Sequence, residues 1–308
     1  PNVKLGMKSV FANIGTFIPG LNLKLKKGKI RGEESFGMLC SEKELTLSEN
    51  HNGIIELEAS SELGLSISEI MDLNDPIIEI EITPNRGDCL GVRGIARDLA
   101  AAGIGNLRDL DIIFSEGEFD SIINWHVDLD ENEKYLCPKI FGRSFTNLKN
   151  DESPLWLKNR LIAVDQRPIS SIVDITNYIM IDIGRPLHAY DIDKIKGTTL
   201  KISKSKKGDK FFALNGNTYE LDDNMLVISD EQSVDDLAGI MGGERTGVTE
   251  NTTRMFLEAA IFDPVSIANT GRKLNLNSDA RYRFERGLDY NSPETVMHYA
   301  AAMFTKIC

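Results

Sequence analysis

Four stretches of the 308-residue chain carry side chains whose types and spacing could do chemistry. His188 stands alone after Gly184-Arg185-Pro186, with Asp191 and Asp193 close enough to fix its tautomer or simply to start a helix. A lone histidine of this kind is more often a hydrogen-bonded structural group than a catalyst. Triads assemble in space, so no nucleophile spacing can be read for it. Glu258 lies in the otherwise apolar run MFLEAA, residues 255–260. If that run alternates as a strand, Glu258 shares a face with Phe256 and Ala260, where a carboxylate must be hydrogen-bonded or else sit at an edge in solvent. The glycine-rich AGIMGGE, residues 238–244, has neither the GK[ST] ending of a phosphate loop nor GxGxxG spacing. A tight turn with close backbone approach is expected there instead. Finally, SDARYRFERG, residues 278–287, interleaves arginine with aromatics. That pattern suits a nucleic-acid surface, or equally Arg–Asp and Arg–Glu pairing within the chain.

The elements that would position these groups follow from periodicity and punctuation. In Arg167–Asp191, apolar residues at Ile169, Ile172, Val173, Ile179, Met180 and Ile183 have the spacing of a one-sided buried helix. Gly184 is placed for a left-handed cap and Pro186 prevents the helix from resuming, which puts His188 on a loop. Further back, Ile78, Ile80 and Ile82 alternate with glutamates as a half-buried strand, and Asp88 is placed to cap a helix ending near Ala102. The acidic, irregular stretch 105–132 reads as a linker or loops. Strands are expected in LKISKS, in KFFALNGNTYEL around an Asn215-Gly216 turn, in MLVISD and in MFLEAAIF. Ser153-Pro154, Asp263-Pro264 and Ser292-Pro293 each open a helix. Strands and helices mix without βαβ alternation, so the fold class is α+β. Residues 1–75 instead show short apolar stretches between Gly, Pro and Asn turns, a small β domain.

The length suits about two domains. No run of eighteen or more apolar residues marks a membrane span, and the opening residues have no signal-peptide core. Cys40, Cys89, Cys137 and Cys308 are scattered, which argues against zinc or a disulfide framework and for a reducing cytoplasm. A net charge of −12 argues against nucleic acid, but its distribution does not. Residues 1–32 hold Lys4, Lys8, Lys24, Lys26, Lys27, Lys29 and Arg31 and no acid, so they carry +7 and the remainder −19. That asymmetry fits either a phosphate-contacting surface or a solvated face. The chain opens without Met and within a domain, as a piece of a longer protein would.

Residues 29–45, KIRGEESFGMLCSEKEL, resemble the signature of an oligonucleotide-binding fold used to bind tRNA. Together with EITPNRGDCLGVRGIARDLA, IVDITNYIMIDIGRPLHAYDIDKI, LAGIMGGERTGV, LEAAIFDPVSI and SDARYRFERGLD, in that order, they resemble the beta subunits of bacterial phenylalanyl-tRNA synthetase. The resemblance implies a truncated oligonucleotide-binding barrel (1–75), a connecting strand–helix unit and linker (76–133), and an α+β editing domain (134–308). It implies hydrolysis of mischarged tyrosyl-tRNA(Phe). In that activity Glu258 would accept the substrate phenol, Ala280 and Ser278 would shape the pocket, and Gly242 would allow close backbone approach. His188 and Arg167 would lie at the tRNA 3′ end and the hydrolytic water. Ser278 stands where the family usually has Thr. Lys24, Lys26, Lys27, Lys29 and Arg31 would contact tRNA. No metal or cofactor is implied for this stretch. ATP and magnesium belong to the whole enzyme, a heterotetramer of two alpha and two beta subunits. The alternative is a non-catalytic module for tRNA docking and subunit assembly, with an inert pocket.

Overall fold

The computed structural model describes every residue except Pro1, Glu49, Asp72, Asp75, Asp111, Ile113 and Ser115. The chain divides into a smaller unit, residues 1–77 with 162–164, and a larger one, residues 78–161 with 165–308. In the smaller unit, three short antiparallel ladders pair Phe11–Asn13 with Gly37–Leu39, Phe17–Ile18 with Leu23–Lys24, and Gly28–Ile30 with Glu33–Ser35. Among the described residues these ladders do not close into a barrel. The expected barrel is therefore met only as far as short strands. Closure needs each strand paired on both edges, and the unit's hydrophobic cluster among the described residues is small: Ala12, Ile18 and Cys40 with a few partly buried neighbours.

The larger unit is α+β. Its strands are β1 (Asn124–Val127), β2 (Lys139–Phe145), β3 (His188–Asp191), β4 (Thr199–Lys204), β5 (Lys210–Phe212), β6 (Thr218–Glu220), β7 (Leu226–Ser229), β8 (Val234–Leu237), β9 (Met241–Gly242) and β10 (Met255–Ile261). The helices that frame them are α1 (Val92–Ala101), α2 (Leu155–Ala163), α3 (Ser171–Ile183), α4 (Pro264–Leu274), α5 (Asp279–Phe284) and α6 (Ser292–Ile307).

β10 organises the packing. It lies between β2 and β3, antiparallel to both, and all seven of its residues are buried. Alternation sends its side chains to two cores. Met255, Leu257 and Ala259 meet Ile172, Ile175 and Ile179 of α3 and Val296, Met297, Ala300 and Phe304 of α6. Phe256 and Ala260 face the other way, into a core shared with the five-stranded sheet ordered β9-β8-β7-β4-β1. Burial on both faces explains why the run reads as continuously apolar, broken only by Glu258.

Local chemistry set several boundaries. Gly184 ends α3 at φ +74, in the left-handed region where glycine avoids a Cβ penalty. Asp263 caps α4 by accepting from Ser266 N at 2.8 Å, with Pro264 at the first turn. Asn215-Gly216 turns between β5 and β6.

Other expectations are corrected. His188 is the first residue of β3, not a loop residue, because hydrogen bonding to β10 begins at once after the Pro186 stop. Ile169 precedes α3 and is exposed. Residues 78–83 form no ladder among the described residues, and Ile78 and Ile80 are exposed; an alternating pattern makes a strand only where an edge is available to pair with it. Asp88 caps nothing. It takes a bidentate contact from Arg86 at 3.0 Å, and Gly91 precedes α1 instead. The stretch 105–132 contains β1, which runs parallel to β4; Asp111, Ile113 and Ser115 within that stretch lie outside the described residues. Ser292 sits inside α6 and not at its cap, with its hydroxyl donating to Asp289 O at 2.8 Å and accepting from Arg185.

Candidate active site

Cross-strand register assembles the site. Glu258 of β10 is directly opposite His188 of β3, and Phe256 is opposite Tyr190. Partners directly across a ladder share a face, so His188, Tyr190 and Glu258 all project toward the five-stranded sheet. Asp236 of β8 meets them from that sheet. The Tyr190 hydroxyl lies 2.9 Å from both Asp236 Oδ2 and Glu258 Oε2. The His188 and Tyr190 rings meet edge to face with centroids 4.4 Å apart, and His188 Nε2 is 3.9 Å from Asp236 Oδ2.

These groups are out of water. Glu258 is 5 % exposed, Asp236 4 % and Tyr190 fully buried. Burial pushes the Glu258 carboxyl up to about 7, against the lowering effect of the Tyr190 hydrogen bond. Asp236 is raised well above the usual carboxylate range, first by burial and then by the Glu258 charge. Burial also lowers His188 to about 4, so its imidazole is neutral at pH 7. About a fifth of the His188 side chain still reaches the surface, but its Nε2 is enclosed without a hydrogen-bond partner. A buried ring nitrogen left this way is ready for a water or a substrate group.

The glycine-rich turn fits over the histidine. Gly242 of β9 pairs with Asp236, and a Cβ added there would fall 2.2 Å from His188 Cε1. Ser278 ties the same turn to α5. Its hydroxyl donates to Ile240 O at 2.6 Å and accepts from Arg281 N at 3.0 Å, capping the helix. Ala280 follows, partly buried against the core that contains Tyr190, Phe256 and Ile240. His188, Glu258, Gly242, Ser278 and Ala280 thus all border one core, although they come from β3, β10, β9 and α5. Arg167 does not join them in burial: it is exposed on the connection between α2 and α3. Its neighbour Gln166 reaches Asp279 Oδ2 at 3.2 Å, between Ser278 and Ala280 in sequence.

The family model for the B3/4 domain matches residues 136–308. The chain belongs to the B3/4 domain family. Along its whole length it is also similar to proteins named phenylalanine–tRNA ligase beta subunit: 49 % identical to that of Paramagnetospirillum magneticum, 47 % to that of Gluconobacter oxydans and 47 % to that of Bartonella quintana. The chain spans 38 %, 37 % and 38 % of those relatives, respectively. The resemblance read from the motifs therefore extends from end to end. A crystal structure of an N-terminal fragment of the phenylalanyl-tRNA synthetase beta-subunit from Pyrococcus horikoshii is 19 % identical over 67 % of this chain and 69 % of that one, at a TM-score of 0.35. That likeness is too slight to argue from.

Within the B3/4 domain, three contributors escaped the sequence reading: Tyr190, Asp236 and Gln166. Tyr190 had a readable signal, since it lies two residues from His188 and must share its face if the segment is a strand. Asp236 had none, because its partner is 46 positions away. The arginines of SDARYRFERG pair internally. Arg281 is buried and donates to Leu276 O at 2.6 Å and Glu285 Oε2 at 3.1 Å, and Arg283 to Leu90 O at 3.1 Å. Arg286 stacks 3.5 Å over Tyr282. Asp88, Cys89 and Asp98 are the one group among the described residues spaced to hold a metal. The Arg86 guanidinium already occupies that space, donating to Asp88 Oδ2 at 3.0 Å and Asp98 Oδ2 at 2.5 Å.

In the smaller unit, Lys24, Lys26, Lys27, Lys29 and Arg31 are all exposed. Lys27 pairs with Glu34 at 2.8 Å, and Lys4 with Glu56 at 2.5 Å. Among the described residues no carboxylate pairs with Lys24, Lys26, Lys29 or Arg31. Exposed Phe11, Phe17 and Phe36 belong to the same unit.

Proposed function

We propose that this chain is the proofreading part of a phenylalanine–tRNA ligase beta subunit and hydrolyses the ester of tyrosyl-tRNA(Phe). One observation carries the reading: Glu258 is a buried carboxylate set in register with His188, whose enclosed Nε2 lacks a partner. A pocket selecting phenylalanine cannot strongly reject a side chain that merely adds a hydroxyl, and a second site that demands the hydroxyl reverses that weakness. Glu258 accepts the tyrosine phenol. With phenylalanine the acceptor capacity of Glu258 beyond its Tyr190 hydrogen bond would be left unused in a dry site, at a cost of roughly 1–3 kcal/mol. His188, neutral at working pH, orients or deprotonates the attacking water. Gly242 lets the glycine turn close over the imidazole, while Ala280 and Ser278 form the wall opposite. Arg167, exposed beside Gln166, meets the tRNA 3′ end. Lys24, Lys26, Lys27, Lys29 and Arg31 hold tRNA(Phe) through its phosphates, on a unit that is part of an oligonucleotide-binding fold. The whole enzyme, with two alpha and two beta subunits, would carry out aminoacylation with ATP and magnesium.

The test is deacylation of Tyr-tRNA(Phe) and Phe-tRNA(Phe) by the purified chain. Tyr-tRNA(Phe) is cleaved faster, and Glu258→Gln abolishes the difference. Equal rates on the two substrates in the unaltered protein would sink the proposal.

A further inference from the structure

The Tyr190 hydroxyl stands between two buried carboxylates but has a single proton to give. It lies 2.9 Å from each of Asp236 Oδ2 and Glu258 Oε2, and can donate to only one of them. The other oxygen is then either a bare anion facing a phenol lone pair or a protonated acid that donates to it. Among the described residues no lysine or arginine lies within ion-pair distance of Asp236 or Glu258 to relieve the first arrangement. His188 Nε2 lies 3.9 Å from Asp236 Oδ2, and burial keeps the imidazole neutral. Asp235 turns to Arg245, which also holds Asp230 at 2.6 Å. The buried Cys137 thiol, which senses the Glu258 charge, supplies no positive charge either. Two like charges bridged by one phenol in a dry core do not both persist, and one carboxyl retains its proton.

We infer that Asp236 and Tyr190 form a directed hydrogen-bond chain, Asp236 O–H to Tyr190 Oη and Tyr190 O–H to Glu258, in which Asp236 keeps the one carboxyl proton and Glu258 is the anionic acceptor of the site. The direction of the chain follows from the register: Glu258 stands opposite His188, where the proofreading reading places the phenol acceptor, while Asp236 comes from the facing sheet and burial raises its carboxyl, so the retained proton falls to Asp236. A carboxylate offers about four acceptor sites. The Tyr190 donor uses one of them, fixing the Glu258 rotamer and leaving capacity for a second phenol, that of the substrate. Tyr190 and Asp236 are positioning residues: they touch Glu258 and each other, and they act on substrate selection through it. This inference rests on the proofreading reading, and deepens it by assigning the ionisation on which tyrosine selection depends.

Infrared spectroscopy of the intact protein tests the chain without substrate. At about pH 8.5, above the Glu258 value of about 7, the unaltered protein shows a protonated-carboxyl band that is lost in Asp236→Asn and shifted in Tyr190→Phe. Absence of that band, or its survival in Asp236→Asn, overturns the inference. Deacylation supplies the second arm. Tyr190→Phe lowers the preference for Tyr-tRNA(Phe) over Phe-tRNA(Phe) at least tenfold and moves the pH profile. Asp236→Leu does the same, and Asp236→Asn, whose amide still donates toward Tyr190 Oη, recovers most of the preference lost in Asp236→Leu. If the unaltered protein prefers Tyr-tRNA(Phe) and loses that preference in Glu258→Gln, while Tyr190→Phe changes neither preference nor pH profile, the chain is wrong and the proofreading reading survives. If the unaltered protein shows no preference, the proofreading reading fails, and the infrared result still decides the chain.

Discussion

His188 and Gly242 are so closely apposed that neither can change alone. A methyl at 242 would stand 2.2 Å from His188 Cε1. Gly242→Ala should therefore displace the imidazole, costing roughly 1–3 kcal/mol as an overpacked core does and slowing Tyr-tRNA(Phe) deacylation more than tenfold. An unchanged rate would show that the imidazole position does not matter. Ala280→Trp overfills the edge of the core against which Ala280 packs and should abolish cleavage of Tyr-tRNA(Phe); a normal rate would place the substrate elsewhere. The carboxylate also has a signature in stability. Glu258 binds its proton more tightly folded than unfolded, with a folded value of about 7 against the ordinary 4.5. Its contribution is therefore full below about 4.5 and lost as pH rises to about 7. His188 runs the other way: its folded value of about 4 lies below the ordinary 6.5, so its contribution is lost as pH falls through that window. Replacing the carboxylate isolates its share. Relative to the unaltered protein, Glu258→Gln should gain on the order of 2–3 kcal/mol between pH 5 and pH 8, read from thermal unfolding at both pH values. A difference that does not change with pH contradicts the buried carboxylate. The burial of Glu258 and the face it shares with Phe256 could be read from one polar residue in an apolar run. Asp236 could not, since its place depends on a sheet whose register joins residues far apart in sequence.

Among elements, the junction of α3 and β3 does most to place the histidine. Gly184 ends the helix, and Arg185 then anchors the chain. Although buried, Arg185 meets oxygens of neutral groups: Ala260 O at 2.6 Å, Asp289 O at 2.9 Å and Ser292 Oγ at 2.6 Å. One guanidinium therefore ties the end of β10 and the start of α6 to the residue three before His188. Arg185→Leu removes the donor to the buried Ala260 O and the tie to Asp289 O, and should cost roughly 1–3 kcal/mol while impairing deacylation. Loss of activity without loss of stability would contradict a purely anchoring role. Gly91, the residue before α1, is the matching contact, since a Cβ there would lie 2.3 Å from Gly184 N. The Gly184 cap, the Asn215-Gly216 turn and the Asp263-Pro264 helix start were legible because each depends on a few adjacent residues. Strand β1 was not, because its partner β4 lies about 75 positions on (Asn124 pairs with Thr199). Residues 78–83 misled for the complementary reason: they have strand alternation but no neighbour in the described residues.

At the scale of the molecule, charge is segregated: +7 on residues 1–32 against −19 on the remainder. The count overstates what is available to a polyanion. Lys4 and Lys27 are held by Glu56 and Glu34, and Lys8 donates to Ala59 O at 2.5 Å and to Ser61 O. Lys24, Lys26, Lys29 and Arg31 keep their charge uncompensated and exposed. Phosphate contacts release counterions, each adding roughly 0.7–0.9 to the slope of log affinity against log salt. Neutralising those four residues together should reduce the slope for tRNA(Phe) by up to roughly 3 and weaken binding at low salt. Lys4→Ser, which removes a charge already paired with Glu56, should leave the slope nearly unaltered. Filter binding across a salt series measures both. A slope that falls equally in the two variants would mean that net charge alone draws the tRNA. A slope unaffected by the four-residue change would return those lysines to a solvated face. The two outcomes separate long-range attraction from a built contact surface, a distinction that composition could pose but could not decide.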